Sequence, residues 1–289
     1  MFDRVLKNHT TIPYKVEVSS LMYYNYDSKK YVPVPDTKAI IRPDTGHIYK
    51  LTQDQDTIIS PIDILSVLLG KYGAEVIEDS WSASNEVEAV KNVFFVPLGR
   101  LYANTDLECI SYLMVGLDYM RLEVKVGAME DFGEGVNIAW WSPDGAIKIN
   151  KSLSSYNFRS LMLSMIEDMQ GLLEYRYTDY LKLTEQEVLE DEVKSFIEEY
   201  HKVHIEDMKN HTDYVTATVS DMIRRVTGMM NKYGHNAFGL LAGFATYQYH
   251  RYNTRRNTYG RITLGLAQKE INKLYERYAY SDKRGRAKH

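Results

Sequence analysis

Hydrophobic and polar positions follow two different periods along this chain, and the period changes near residue 152. Before that point, short runs in which apolar and polar residues alternate, such as residues 15–18, predict β-strands. Residues 42–46, Arg-Pro-Asp-Thr-Gly, separate two apolar runs, and proline and glycine supply the backbone angles of a tight turn. Residues 32–35, Val-Pro-Val-Pro, are predicted to be extended but outside any central strand, because proline donates no hydrogen bond to a neighbouring strand.

A helix is predicted to begin at Ser60. Serine caps helix N-termini, Pro61 suits the first turn, and Asp63 favours the positive end of the helix dipole. The helix is expected to end at Gly70 or Gly73. Its predicted apolar face consists of Ile62, Leu65, Leu68 and Leu69.

Residues 74–150 have the pattern of a β-meander. The predicted strands are residues 87–96, 107–116, 119–126, 136–141 and 146–149. Asp144 and Gly145 predict a hairpin turn between the last two strands. Apolar residues alternate with Glu123 and Lys125 in the third strand, so one face of that strand is expected to be buried.

After residue 152 the apolar positions recur with helical spacing. A first helix is predicted over residues 154–183. The capping-box pattern at residues 184–187 predicts an acidic second helix that extends to about residue 209. Further helices are predicted over residues 213–232, 236–253 and 262–280.

These elements define an α+β fold class. A strand-rich N-terminal part, with an antiparallel meander and one helix, is followed by a helical C-terminal part. We place a β-rich α+β subdomain at residues 1–152 and a helical, basic subdomain at residues 153–289.

The composition favours a reducing compartment. Cys109 is the only cysteine among 289 residues, so a disulfide within the chain is impossible. Residues 1–15 contain no apolar signal segment, and no apolar run has the length required to cross a bilayer. We therefore expect a cytoplasmic protein without a membrane partner.

The charge is distributed unevenly along the chain. Residues 201–289 contain 16 basic and 7 acidic residues, whereas residues 1–200 contain 19 basic and 32 acidic residues. This distribution predicts a polyanion partner for the C-terminal part, or an acidic partner within the chain or in a neighbouring subunit. We expect a homo-oligomer.

Basic residues in the C-terminal part are interleaved with tyrosines. Guanidinium groups neutralise phosphates and aromatic rings stack on exposed bases, so this pattern is typical of single-stranded nucleic-acid binding. A solvated helix face with a basic tail is the alternative interpretation. The candidate nucleic-acid-binding residues are Arg224, Arg225, Tyr247, Tyr249, Arg251, Tyr252, Arg255, Arg256, Arg261, Lys269, Lys273 and Arg277.

Other residue patterns indicate chemistry less specifically. Glu123 and Lys125, with Asp106 or Asp118 upstream, have the residue types of a magnesium-dependent nuclease, but also those of the charged outer face of a strand. The late histidines match surface residues better than a zinc site, whose ligands converge from two elements. Tyrosine is frequent, with 24 residues, which is typical either of an AT-rich genome or of wet interfaces. We predict no catalytic residue, no cofactor and no metal.

Gly239 and Gly243 are four residues apart in an apolar run, which predicts the close approach of two helices.

Two segments of the chain also resemble a family of phage- and plasmid-encoded proteins, domain of unknown function number 932. One is the run 42–46 with the strand and helix that follow it. The other contains Phe238, Gly239, Ala242, Gly243, Ala245, Tyr247 and His250. The resemblance implies a phage or mobile-element origin and the cytoplasm of a host cell, but it transfers no activity and no catalytic residues.

Three functions are compatible with these observations. The first is a non-enzymatic nucleic-acid-binding protein of a phage or mobile element that binds or anneals single-stranded DNA during recombination. The second is a phage protein that acts by protein–protein contacts, such as an inhibitor of a host defence system, with its acidic N-terminal part and exposed tyrosines as the contact surface and a host protein as partner. The third is a metal-dependent nuclease.

Overall fold

The computed structural model describes residues 15–53, 57–73, 91–101, 107–142, 145–254 and 260–280. Side chains are described over the same ranges except residues 91–93, 208–209, 249, 251–254 and 260–269. The fold is α+β: an antiparallel strand meander with a helix is followed by a helical C-terminal part, as the sequence predicts.

The strands and first helix occupy the N-terminal half of the chain. They are β1 (Glu17–Asn25), β2 (Lys30–Arg42), β3 (His47–Thr52), α1 (Pro61–Tyr72), β4 (Lys91–Leu101), β5 (Cys109–Asp118), β6 (Glu123–Asp131), β7 (Asn137–Trp141) and β8 (Ile147–Lys148). The helical part contains α2 (Ser155–Glu185), α3 (Glu190–His201), a 3₁₀ helix (Ile205–Asn210), α4 (Asp213–Tyr233), α5 (Ala237–Thr254) and α6 (Gly260–Ala279).

The first sheet has the antiparallel order β1-β2-β3. The predicted turn at residues 42–46 joins β2 to β3. The carbonyl of Arg42 accepts a hydrogen bond from the amide of Gly46 at 2.8 Å, and Gly46 has a φ of 68°. The guanidinium of Arg42 donates to both oxygens of Asp44, at 2.7 and 2.8 Å. The predicted strand, turn and strand are confirmed.

The predicted extended segment at residues 32–35 belongs to β2, which lies between β1 and β3 in the order of the sheet. However, β3 pairs only with residues 38–42 of β2. Pro33 and Pro35 therefore lie where β2 has a partner on one side only, and there the missing amide donor costs no inter-strand hydrogen bond.

Helix α1 begins at the predicted residue. The amide of Ser60 donates to Asp63 Oδ2 at 2.7 Å, and Gly73 follows the last turn. The hydroxyl of Ser60 exchanges hydrogen bonds with the backbone of Val16 at 2.9 Å, which connects the start of the helix to the residue before β1. The predicted face is wrong, because Ile62 and Leu69 are exposed. The buried residues are Pro61, Ile64, Val67 and Leu68.

The second sheet has the order β4-β5-β6-β7, with β8 also paired to β6. The predicted hairpin between the last two strands is wrong. Residues 123 and 124 of β6 pair with residues 148 and 147 of β8, so β7 and β8 both lie along β6 rather than against each other. Asp144 of the predicted turn lies outside the described residues. A turn signal such as Asp-Gly does not by itself determine which strand becomes the partner.

The predicted start of the second long helix is also wrong. Helix α2 continues to Glu185, and the hydroxyl of Thr184 donates to the carbonyl of Leu181 at 2.6 Å instead of capping a new helix. Helix α3 begins at Glu190, where the amide of Leu189 donates to Glu192 Oε2 at 2.9 Å. The helices predicted over residues 213–232, 236–253 and 262–280 are confirmed as α4, α5 and α6.

The chain divides into two compact units that interleave along the sequence. Unit 1 contains residues 1–98, 112–128 and 141–170, and unit 2 contains residues 99–111, 129–140 and 171–289. In unit 1, the rings of Tyr49 and Tyr119 stack at 4.7 Å. In unit 2, the buried Cys109 belongs to the hydrophobic core, and its burial raises the pKa of the thiol. Within the described ranges, no helix combines the length and apolar character of a membrane span.

Close contact between α4 and α5 confirms the predicted role of Gly239 and Gly243. A Cβ atom built on Gly243 would lie 2.5 Å from the Cα of Val226. A Cβ atom on Gly239 would lie 2.4 Å from the carbonyl oxygen of Gly234. Both neighbours are backbone atoms, so neither contact is relieved by the movement of a side chain.

We expect Gly243→Ala to reduce the free energy of unfolding by about 1–3 kcal/mol, because the methyl group would push two helix backbones apart. The matched control is Gly228→Ala in α4, where the added Cβ meets no atom within 4 Å. That change should stabilise the helix by about 0.5–1 kcal/mol. Chemical denaturation followed by circular dichroism measures both, and equal effects of the two substitutions would contradict the predicted contact.

Candidate nucleic-acid interface

Arg224 and Arg225 are neighbours on α4 and share one carboxylate. Arg224 Nη2 lies 2.5 Å from Asp221 Oδ1, and Arg225 Nε lies 2.9 Å from Asp221 Oδ2. Burial alone would raise the pKa of Asp221, but hydrogen bonds from the two guanidinium groups hold it below its usual value. Both predicted cations therefore have a compensating anion one helical turn away.

Tyr247, which was predicted to stack on bases, does not face solvent. Its side chain is buried, with 1% of the residue exposed. The ring lies 6.2 Å from the ring of Tyr200 and 5.8 Å from that of His201, and its hydroxyl lies 3.4 Å from His201 Nε2. Helix α5 packs closely against α4, and Tyr247 is one of the many α5 residues that belong to the hydrophobic core.

Lys273 and Arg277 lie on α6, four residues apart, as predicted. Lys273 Nζ is 2.8 Å from Glu270 Oε1, and Arg277 Nη1 is 3.6 Å from Glu199 Oε2 on α3. Lys273, Arg277 and Glu199 are exposed and Glu270 is partly exposed, and ion pairs of this kind contribute little stability. These two cations are therefore available to exchange their carboxylate for another anion at small cost.

The other seven candidate residues lie outside the described side chains. The backbone of α5 includes residues 249, 251 and 252, and that of α6 includes residues 261 and 269. Residues 255 and 256 lie outside the described residues altogether. These candidates are Tyr249, Arg251, Tyr252, Arg255, Arg256, Arg261 and Lys269.

The charge excess of the C-terminal part is not on the side chains that the structure describes. Within residues 201–280 those side chains comprise six cations and six carboxylates, so their formal charges cancel. The remaining side chains of residues 201–289 comprise ten cations and one carboxylate. Nine of these ten cations lie at residues 251–269 and 283–288, beside Tyr249, Tyr252 and Tyr259.

Glu123, the carboxylate of the nuclease hypothesis, is surrounded by cations. It is buried in unit 1, and its oxygens lie 2.5 Å from Lys148 Nζ, 3.2 Å from Lys125 Nζ and 3.8 Å from Arg121 Nη1. Burial alone would raise the pKa of Glu123, but hydrogen bonds from Lys148 and Lys125 hold it below its usual value. Three adjacent positive charges disfavour a divalent cation here.

A buried polar cluster in unit 2 is absent from the sequence-based predictions. The guanidinium carbon of Arg176 lies 4.4 Å from the ring centre of Trp140 and 4.1 Å from that of Tyr275. The hydroxyl of Tyr275 donates to Asp179 Oδ2 at 2.7 Å, and that of Tyr180 donates to Glu130. We call this set of residues the Arg176 cluster; its members are Arg176, Trp140, Tyr275, Asp179, Tyr180 and Glu130.

The Arg176 cluster places one cation and two carboxylates in the core. Burial alone would lower the pKa of Arg176, but the acidic groups of Tyr180, Glu130 and Tyr275 outweigh this and raise it. Burial raises the pKa of Tyr180 and of Tyr275, because it disfavours the charged form of each side chain. The sequence signal for the cluster is the position of Arg176, seven residues from both Met169 and Leu183 on the apolar stripe of α2. An arginine at a core position requires buried anions or aromatic rings around it.

Exposed aromatic side chains occur together in unit 1. We call residues 21–34, the end of the β1–β2 hairpin, the tyrosine arm. Tyr26 is 84% exposed and Tyr31 is 71% exposed, and Met22, Tyr23 and Tyr24 are also exposed. The ring of Tyr24 lies edge-on to those of Tyr26, at 5.1 Å, and Tyr31, at 5.3 Å. The arm is an exposed surface of the type that tyrosine-rich interfaces use.

Comparison with known proteins gives no match: no family model, no curated protein and no solved structure is similar to this chain. The resemblance to the phage- and plasmid-encoded family therefore stays a prediction. Within the described residues, no group of three or more histidine, cysteine, aspartate or glutamate side chains is arranged to hold a metal ion.

We expect Arg176→Met to reduce the free energy of unfolding by about 3–5 kcal/mol, because it removes the positive charge near buried Glu130 and the guanidinium that lies on the rings of Trp140 and Tyr275. The matched control is Lys182→Met, which removes a half-exposed cation 3.2 Å from Asp179, a carboxylate of the same cluster. Its expected cost is about 0–1 kcal/mol. Denaturant titration measures both, and similar losses in the two variants would contradict a core role for the cluster.

The environment of Glu123 predicts a pH dependence of stability. Since its pKa is lowered on folding, its ionised form stabilises the fold above a pH of about 4.3, and this contribution is lost as the pH falls towards the lowered pKa. We expect Glu123→Gln to lower the free energy of unfolding by about 1–2 kcal/mol at neutral pH. The stability of this variant should also fall less on acidification than that of the unmodified protein. Glu167→Gln, at an exposed ion pair with Lys71, is the control and should leave the pH profile unchanged.

Proposed function

We propose that this protein binds single-stranded nucleic acid through the cations and tyrosines of residues 249–269 and 281–289, as a non-enzymatic protein of a phage or mobile element. The observation that supports this proposal is the position of the charge excess. Residues 249–269 contain five cations and no carboxylate, and residues 281–289 contain four cations and one carboxylate, so eight of the nine excess positive charges of residues 201–289 lie in these two stretches.

Cations close together along the sequence attract a phosphate backbone because each one releases a condensed counterion. Tyr249, Tyr252 and Tyr259 lie among four arginines, and an aromatic ring stacks on any base without reading the sequence. This combination favours binding to single strands of any sequence, which is the property that strand annealing requires.

An acidic surface in the same unit is the alternative partner for cations of the C-terminal part. Helix α3 contains Glu190, Asp191, Glu192, Glu198 and Glu199, and Glu199 already contacts Arg277. Exposed ion pairs of this kind are weak and are screened by salt. A nucleic acid, with a denser line of charge, is expected to displace them at low ionic strength.

Replacement of Arg251, Arg255, Arg256 and Arg261 by Gln tests the proposal. We expect affinity for a labelled 30-nucleotide single strand to fall more than about tenfold at 50 mM salt, because up to four phosphate contacts are lost. The slope of log K against log salt should decrease by up to about 3. Fluorescence anisotropy between 50 and 200 mM salt measures both quantities.

The matched control replaces Arg224 and Arg225 by Gln, since both already share Asp221. For this control, the slope of log K against log salt should remain close to that of the unmodified protein. Absence of binding by the unmodified protein at 50 mM salt would overturn the proposal, and so would equal effects of the two sets of substitutions. Circular dichroism of each variant verifies that the fold is retained.

A further inference from the structure

An excess of positive charge lies on one face of the second sheet, around Glu123. Glu123 and Lys125 are two residues apart on β6, and Lys148 on β8 pairs directly with Glu123, so the three side chains share a face of the sheet. Arg121 also reaches the carboxylate of Glu123. We call Arg121, Lys125 and Lys148 the cation triad. Three cations surround one carboxylate, so a formal charge of +2 remains.

The neighbouring charged groups leave this excess unchanged. Lys50 Nζ donates to the carbonyl of Met120 at 2.8 Å, next to the triad, and adds one cation. Asp118 Oδ1 accepts a hydrogen bond from the amide of Arg121 at 3.1 Å and adds one carboxylate. The side chains of Arg121 and Lys148 are each 65% exposed, so both are accessible to a dissolved anion.

A cavity of about 680 Å³ lies beside the triad, between β8 and the first turns of α2. Lys148 lines both the triad and the cavity, and Tyr156, which is 80% exposed, adds an aromatic ring to the lining. Four further lining residues have hydrogen-bonding side chains: Asn150, Ser152, Asn157 and Ser160. Among the described lining residues none is acidic, so no carboxylate opposes an anion there. The volume is in the range of small-molecule sites.

We propose that unit 1 binds a nucleoside monophosphate in this cavity, with the phosphate on the cation triad and the base against the ring of Tyr156. A phosphate monoester carries about 1.5 to 2 negative charges at neutral pH, which matches the excess charge around Glu123. Arginine and lysine bind phosphate oxygens through charged hydrogen bonds, and an exposed ring stacks on any base. The charge that disfavours a divalent cation at this position favours an anion.

Calorimetric titration of the full chain with adenosine monophosphate tests the phosphate contacts. We expect Lys148→Gln and Arg121→Gln each to weaken binding about tenfold, because each removes a charged hydrogen bond to phosphate. The second variant is included because Arg121 lies farther from Glu123 than Lys148 does, so its loss disturbs the fold less. The matched control is Lys15→Gln, which removes an exposed lysine paired with Glu17 at 3.0 Å and should leave the affinity unchanged.

The same titration tests the base contact. Tyr156→Ala should weaken binding about tenfold through the loss of stacking. Tyr26→Ala is the control, since Tyr26 is 84% exposed in the same unit and does not line the cavity. Adenosine, which lacks the phosphate, and inorganic phosphate, which lacks the base, should each bind at least about tenfold more weakly than adenosine monophosphate.

Three results would overturn the proposal: no binding of adenosine monophosphate at millimolar concentration, equal effects of the variants and their controls, or equal affinity for adenosine and adenosine monophosphate. Inorganic phosphate that binds as tightly as the nucleotide would also overturn it, and would leave the triad as a site for an adventitious anion. Circular dichroism of each variant verifies the fold. Residues 249–269 and 281–289 belong to unit 2, so this proposal does not depend on the proposed function.

Discussion

The packing of α4 against α5 is the constraint on which the helical part depends. At Gly239 and Gly243 the two backbones approach so closely that a single methyl group would overlap backbone atoms. This contact fixes the rotation of α5 about its axis, and core residues then surround most of the helix, including Tyr247. Because α6 also packs on α5, the position of α6 follows from the same contact.

Charge compensation is the second constraint. Buried Arg176 lies among aromatic rings and carboxylates, and the exposed cations Arg224, Lys273 and Arg277 each lie beside a carboxylate of the same unit. Along the sequence, residues 249–269 and 281–289 together contain nine cations and one carboxylate. This local excess of positive charge is the basis of the proposed polyanion partner.

The sequence predicted the fold class, the turn at residues 42–46, the start of α1 and three C-terminal helices, because caps, turn residues and apolar periods act locally. It did not predict that β8 pairs with β6, since partner choice depends on the whole sheet. It placed Tyr247 at an interface because alternation of rings and cations does not show which side of a helix is buried. It missed the Arg176 cluster because its residues come from distant parts of the chain.

The prolines of β2 have a consequence for the size of any assembly. A β-sheet with two open edges can pair with strands of other copies on both sides and so grow into a fibre. Pro33 and Pro35 lack the amide donors that a further strand would need, so growth through that edge is suppressed. Further along the same side of the sheet, β3 contains Lys50, a charged residue of the kind that discourages a further strand from pairing there.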